Sequence, residues 1–265
     1  MLAEKPAAVF LGGDITPHPM DFSWREDGAE GGFVPEFLIP LFADIRRELE
    51  AQYPRVFLIP GNDDPFGLVA DLHAGEKQGL WQQIHGKVVD WNDWQVLGYA
   101  CIPPSPFLLK DWERYDISRF VDPGAVSPED VPRGDGMPPH QIRHATITSE
   151  LELLVPAIRD FRRTIFLGHC PPYDTPLDRA GLDGRMVDHV PLDVHIGSIA
   201  VRRFLEEHQP AMSLHGHVHE SRTLTGRWNM WLGKTFAVSA ANETPALALV
   251  RLDPEQPSQA TLELI

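Results

Sequence analysis

Apolar residues in this chain gather in short runs that end at glycine. AAVFLGGD runs into Asp14, RVFLIPGND into Asn62, and RTIFLGH into His169. Runs of this length, closed by turn residues, read as buried strands of a parallel or mixed sheet. WQVLGYACIP and MSLHGHVHES are further strands, and the second ends in histidines. Between these runs the spacing changes. Over residues 35–53 the positions Phe37, Leu38, Leu41, Phe42, Ile45 and Leu49 recur at helical intervals. Residues 150–161 and 198–208 also read as helices, the second with Ser198 as its N-cap. The tail offers four more strands, WNMWLG, KTFAVSA, ALALVRL and ATLELI. Strands alternating with helices, then a strand-rich end, predict an α/β protein with two sheets. There is no internal repeat, and residues 1–265 read as one unit.

Residues 103–147 break the pattern. They hold many prolines, glycines and charges, as in VDPGAVSPEDVPRGDGMPP. They read as a long insertion over the surface, and ordered loops of this length in compact domains often serve function. A disordered excursion over residues 122–139 is the plainer alternative.

The composition changes little in this picture. With 43% hydrophobic and 23% charged residues the chain is ordinary for a globular protein. The net charge of −15 disfavours a nucleic-acid-binding surface, because phosphate backbones would be repelled. It leaves room for a small phosphorylated substrate, since a bound dication reverses the local field. Two cysteines, Cys101 and Cys170, make no disulfide framework and fit a reducing cytoplasm. No signal peptide or membrane-spanning run is evident, so a cytoplasmic protein away from membranes is expected.

The candidate chemistry lies at the strand ends. Asp14, Asn62 and His169 each follow a glycine, and LHGHVH supplies His217 and His219. Alpha/beta folds place their sites at the carboxyl ends of core strands. The ligand set suits two divalent cations: a carboxylate can bridge, an amide oxygen is neutral, and imidazoles favour Mn, Fe, Zn or Ni. Two such cations about 3.5–4 Å apart can clamp a phosphoryl group and activate water. In extended backbone His217 and His219 would point to one side. Each piece alone is weak, because a Gly-Asp pair is usually a turn and a lone histidine usually sits in a core. All four in order, each ending an apolar strand, form a strong signal.

The order GGD, GND, GHCPP, GHVH resembles the calcineurin-like metallophosphoesterases, from Asp14 to His219. It is most similar to prokaryotic members that carry GNDD and a segment like HIGSIAVRRF. The resemblance implies a four-layer α/β/β/α sandwich of two mixed sheets and hydrolysis of phosphoric esters by metal-activated hydroxide. It implies that Asp14 bridges two metals, that Asn62, His169 and His217 complete one site, and that His219 serves the other.

Two departures stand out. The family's opening Asp-x-His motif is absent, since the thirteen residues before Asp14 include neither Asp nor His. A missing first strand and helix, a single metal site, or a fold kept for binding rather than catalysis would each account for this, and the first is the expected one. The second departure is Asp63, where many members have a histidine that assists the leaving group. A carboxyl with a pKa near 3.9 is a poor proton donor at neutral pH, which predicts a preference for esters with good leaving groups.

Asp63 and His195 are the candidate catalytic residues. His195 precedes Gly197 and a predicted helix, where it could meet a phosphate. His215 shares the strand parity of His217 and His219, but reads as core or as support for a ligand. His18 could replace a missing ligand, though an ordinary loop residue is the plainer reading. Cys170 reads as packed rather than nucleophilic. Trp112 could line a substrate pocket, with surface packing as the simpler alternative. A GxSxG nucleophile elbow is absent, which leaves a serine hydrolase unsupported.

Overall fold

The computed structural model describes residues 1–17 and 32–265. Its first sheet has three parallel strands, β1 (Ala8–Leu11), β2 (Arg55–Leu58) and β3 (Gln82–Gln83), in that order. The connections carry α1 (Ile39–Leu49), entered through a helical turn at Val34–Leu38, and α2 (Leu68–Lys77). The second sheet opens with β4 (Lys87–Trp91) and β5 (Trp94–Tyr99), an antiparallel pair. The insertion follows, with two short helices, α3 (Pro139–Ile142) and α4 (Ile147–Glu152). Next come β6 (Thr164–Gly168), a small hairpin of β7 (Met186–Val187) and β8 (Val190–Pro191), and α5 (Ile199–His208). The second sheet is completed by β9 (Met212–His215) and, past α6 (Ser221–Thr225), by β10 (Asn229–Leu232) and β11 (Thr235–Ser239). Its order is β10-β11-β9-β6-β5-β4, parallel in the middle and antiparallel at both edges. A last hairpin joins β12 (Ala248–Arg251) to β13 (Thr261–Leu264).

Side-chain alternation explains the layering. Successive residues of a strand face opposite sides. In β2, Val56 and Leu58 pack with Phe42, Leu68, Leu72 and Trp81 under α1 and α2. Phe57 turns the other way, into the core shared with the second sheet. There Phe10 and Phe57 stack at 5.5 Å, and Trp91 of β4 meets Phe10 edge-on at 5.9 Å. On the far side of the second sheet, Phe166 of β6 lies 5.7 Å from Phe204 of α5. Helices, sheet, sheet and helices thus form the expected α/β/β/α order. Each buried side chain of this kind contributes roughly 1.5–3 kcal/mol. Strands β5, β6, β9 and β11 are buried along their whole length, as central parallel strands should be.

Three local expectations change. The helical run predicted over residues 35–53 is present as the turn at Val34–Leu38, α1 and a tight closing turn at Glu50–Gln52, but its Phe37 and Leu41 face solvent rather than the core. The helix predicted from residue 150 begins at Ile147 instead, where Thr146 and Ser149 form a reciprocal capping box, and Pro156 ends the helical run in a single tight turn. The third change concerns the insertion. It is no mere surface excursion, because Trp112, Tyr115, Ile142 and Ile147 are buried. Asp116 also reaches α5. Its carboxylate accepts from Ile199 N at 2.7 Å, Ala200 N at 3.1 Å and Ser198 Oγ at 2.6 Å. Ser198 itself caps the helix as expected, accepting from Val201 N. Among the described residues no helix is long and apolar enough to cross a membrane.

Candidate metal centre

Four of the predicted residues meet at the carboxyl ends of β1, β2, β6 and β9. Asn62 lies at the centre of the group. Its Oδ1 is 2.9 Å from His169 Nε2 and 2.7 Å from His217 Nδ1. Asp14 Oδ2 is 3.3 Å from the same His169 nitrogen. The two imidazole rings stand 5.3 Å apart. His169 and Asn62 are buried, while Asp14 and His217 are partly exposed.

The hydrogen bonds assign the protons. His169 Nδ1 lies 2.7 Å from Gly12 O, and a carbonyl can only accept, so Nδ1 carries a hydrogen. That leaves Nε2 to face Asn62 and Asp14. Asn62 Nδ2 donates to Asp63 Oδ1 at 2.7 Å, which turns its oxygen toward the two histidines. One amide oxygen therefore receives two imidazole N–H groups beside a carboxylate. Protons occupy the place where a single cation would satisfy all four groups, so this donor set fits a divalent cation.

Electrostatics follow from this packing. Burial disfavours the Asp14 charge, but His169 and the Asp63 N–H hold its carboxyl well below the usual range. Burial also opposes a charge on His169, yet the Asp14 carboxylate and its hydrogen bond outweigh it and raise the pKa. Burial and the neighbouring His169 charge push His217 down to about 3.

Backbone shape carries a second signal. Asp14 has φ 51° and His217 has φ 69°, the left-handed region that costs non-glycine residues on the order of 1–3 kcal/mol each. Gly61 is needed for close approach, since a Cβ there would lie 2.2 Å from Asp14 Oδ1 and 2.7 Å from His169 Cε1.

The expected strand parity of His217 and His219 fails here. Strand β9 ends at His215, and the left-handed His217 breaks the alternation. His219 is exposed and makes no hydrogen bond with the described residues. Asp63 is exposed too. Its N–H donates to Asp14 Oδ1 at 3.0 Å, and burial together with the Asp14 charge raises its carboxyl pKa. His195 stands apart, between β8 and α5, with Nδ1 on the buried Asp178 at 2.8 Å. The helix N-terminus beyond it is filled by Asp116, so a phosphate does not find free N–H groups there. His215 is a core residue, bonded to Gly168 O at 3.1 Å, with burial pushing it down to about 4. Cys170 is buried, and burial pushes its thiol well up, which suits packing rather than attack. Trp112, within the insertion, is buried rather than on the surface. His18 lies outside the described residues.

Asp64 is a residue of the site that the strand-end motifs leave out. It is fully buried, and its carboxylate accepts from Gly61 N at 2.8 Å, Ile15 N at 3.0 Å, Thr16 N at 2.9 Å and Thr16 Oγ1 at 2.9 Å. It ties the Asp14 turn to the Asn62 turn. An acidic residue after Gly-Asn reads as solvated, and only its repetition in GNDD hinted at a second duty. A separate surface group, Glu152, Glu207 and His208, brings its ligand atoms within 4.8 Å of one another. It belongs to α4 and α5, away from the strand ends.

Comparison with known proteins gives the same picture. A family model described as calcineurin-like phosphoesterase matches residues 2–221. The uncharacterized protein MJ1162 of Methanocaldococcus jannaschii is 29% identical over 73 residues, 27% of this chain and 30% of that protein. The match therefore spans less than a third of that relative's length. A crystal structure at 19% identity aligns with TM-score 0.54, covering 99% of this chain and 89% of its own. TT1561 of Thermus thermophilus aligns with TM-score 0.51 at 16% identity, covering 98% and 85%. At these identities the structures speak for the fold.

Proposed function

The chain belongs to the calcineurin-like phosphoesterase family, and on that premise we propose that it hydrolyses phosphomonoesters or phosphodiesters, nucleotides among them, with the help of divalent cations. The observation that carries this reading is the convergence of two imidazoles and a carboxylate on the Asn62 amide oxygen. Asp14, Asn62, His169 and His217 would hold a divalent cation, and His219 would serve a second. Mn, Fe, Zn and Ni all suit this mixture of oxygen and nitrogen donors. Bound cations supply Lewis acidity and lower the pKa of a water to near neutral.

The chain's own residues handle orientation and protons. The Asp63 carboxyl, its pKa raised by burial and by Asp14, is a better proton donor than a free carboxyl and serves the leaving group. His195, held by Asp178 and with Nε2 3.8 Å from Asp174 Oδ1, is an oriented imidazole available to a substrate. The whole chain works as one catalytic unit, with the insertion forming part of the substrate wall.

A second reading has one observation in its favour. The Asn62 side of the site is fully assembled, whereas exposed His219 stands without hydrogen bonds to the described residues. A chain that holds one cation and binds phosphorylated ligands without turning them over would look like this. Metal content, measured together with hydrolysis of bis-p-nitrophenyl phosphate and p-nitrophenyl phosphate under added Mn2+, separates the two. About two metals per chain, and turnover lost in His217→Ala, is the expected result for a dinuclear enzyme. One metal or none without turnover sinks it.

A further inference from the structure

Besides Asp116, the insertion sends two polar side chains to the turn that carries Asn62. Trp112 Nε1 donates to Asp64 O at 2.7 Å. Asp111 Oδ2 accepts from Phe66 N at 2.7 Å, and its other oxygen accepts from Gly134 N. Both contacts land on the same stretch, two and four residues beyond Asn62. Asp64 in turn holds Gly61 N, one residue before Asn62, and reaches across to Ile15 and Thr16 beside Asp14.

The block that makes these contacts is itself fixed. Lys110 and Glu113 form a fully buried ion pair at 2.7 Å. Lys110 Nζ also donates to Ser105 O at 2.7 Å, and Glu113 accepts from Ser105 N at 3.0 Å. Arg133 Nη2 donates to Asp111 O at 2.7 Å and closes the block from behind. Ile102 N donates to Trp112 O at 2.9 Å and Arg114 N to Ile102 O at 3.1 Å, which pins it to the end of β5. A buried ion pair is weak evidence for stability, and here, with its bonds to Ser105, it ties the block into one arrangement.

We propose that Asp111 and Trp112 are positioning residues for the metal centre, and that the insertion locks the Asn62 turn from behind so that its amide oxygen is fixed before a cation arrives. The proposal rests on the reading that Asn62 is a metal ligand. Groups that orient ligands from behind matter to affinity nearly as much as the ligands do.

The test compares Trp112→Phe, which keeps the ring packed beside Phe66 and His85 but loses the N–H, with Asp111→Asn and with Phe107→Ser at the exposed tip of the insertion. Mn2+ affinity is read by calorimetry, thermal stability on the metal-free proteins, and amide exchange at Gly61 and Phe66. The expected result is a roughly tenfold weaker Mn2+ Kd for the first two variants, with kcat restored at saturating Mn2+, and no change for Phe107→Ser. Faster exchange at Gly61 and Phe66, with β9 unaffected, should accompany it. A lowered melting temperature with Mn2+ affinity within about twofold of wild type would mean a merely structural role and overturns the proposal. If the wild type binds no Mn2+, the metal reading fails instead. The amide exchange of the metal-free variants then decides whether the lock exists, and unchanged exchange at Gly61 and Phe66 overturns it.

Discussion

The two flanks of the site are built differently. On one flank Asn62, His169 and Asp14 are held by one another, by Gly12 and by Asp64, through a closed set of bonds. On the other, Asp63 and His219 are exposed, and His195 belongs to a different network around Asp178. The second flank presents exposed side chains, with Asp63 tied back to Asn62 and Asp14 and His219 making no hydrogen bond with the described residues. A site divided in this way fixes its electrostatics in advance on one side and leaves adaptability to the other.

The largest break in that comparison should come from single-ligand variants on opposite flanks. Asn62→Ala removes the oxygen on which both histidines converge, and should weaken cation binding on the order of 100-fold or more, measured by calorimetry. His219→Ala should leave one cation bound, with metal content by elemental analysis falling from about two per chain to about one. Equal losses in the two variants would erase the distinction between the flanks.

The next effect concerns pH and the metal-free protein. His169 has its folded pKa raised above the ordinary value of about 6.5. A raised histidine stabilises the fold fully below its unfolded pKa, and that contribution is lost as pH rises through the folded pKa. Urea midpoints in EDTA should therefore fall as pH climbs above about 6.5, and Asp14→Asn should flatten the slope. Cation binding displaces the same proton, so affinity should rise over that range. A slope unchanged by Asp14→Asn would show that the pair does not govern it.

The smallest effect belongs to the adaptable flank. Asp63→Asn should slow alkyl phosphates by about tenfold while leaving p-nitrophenyl phosphate nearly unchanged, because only the poor leaving group needs a proton. Fast turnover of alkyl phosphates by the native chain, lost in this variant, would make Asp63 a far stronger acid catalyst than its exposure suggests.

The fixed flank was also the legible one. Glycine followed by Asp14, Asn62 or His169 at the end of an apolar run combines two signals, a buried strand and a close approach, and the structure places all three together. The strands of the tail, and Ser198 at the head of α5, were equally readable because period and capping are local properties. What escaped was non-local. KDWER, residues 110–114, is charged in sequence and reads as surface, yet its partners at Ser105, Gly134 and Phe66 allow it to be buried. Asp64 escaped for the same reason, because its four donors come from two turns about fifty residues apart. His217 and His219 misled because strand parity holds only while the strand continues.

Asp116 has a consequence for how this fold can be recombined. The insertion has the outline of a cassette, but it carries the charge that closes the head of α5. Cut away with the insertion, that carboxylate would leave α5 with bare N–H groups and an exposed positive end, a ready binder of stray anions. A chimera that trades this insertion for another loop therefore trades more than a loop. The exchangeable module runs through α5, and grafts cut before that helix should gain an anion site that neither parent had.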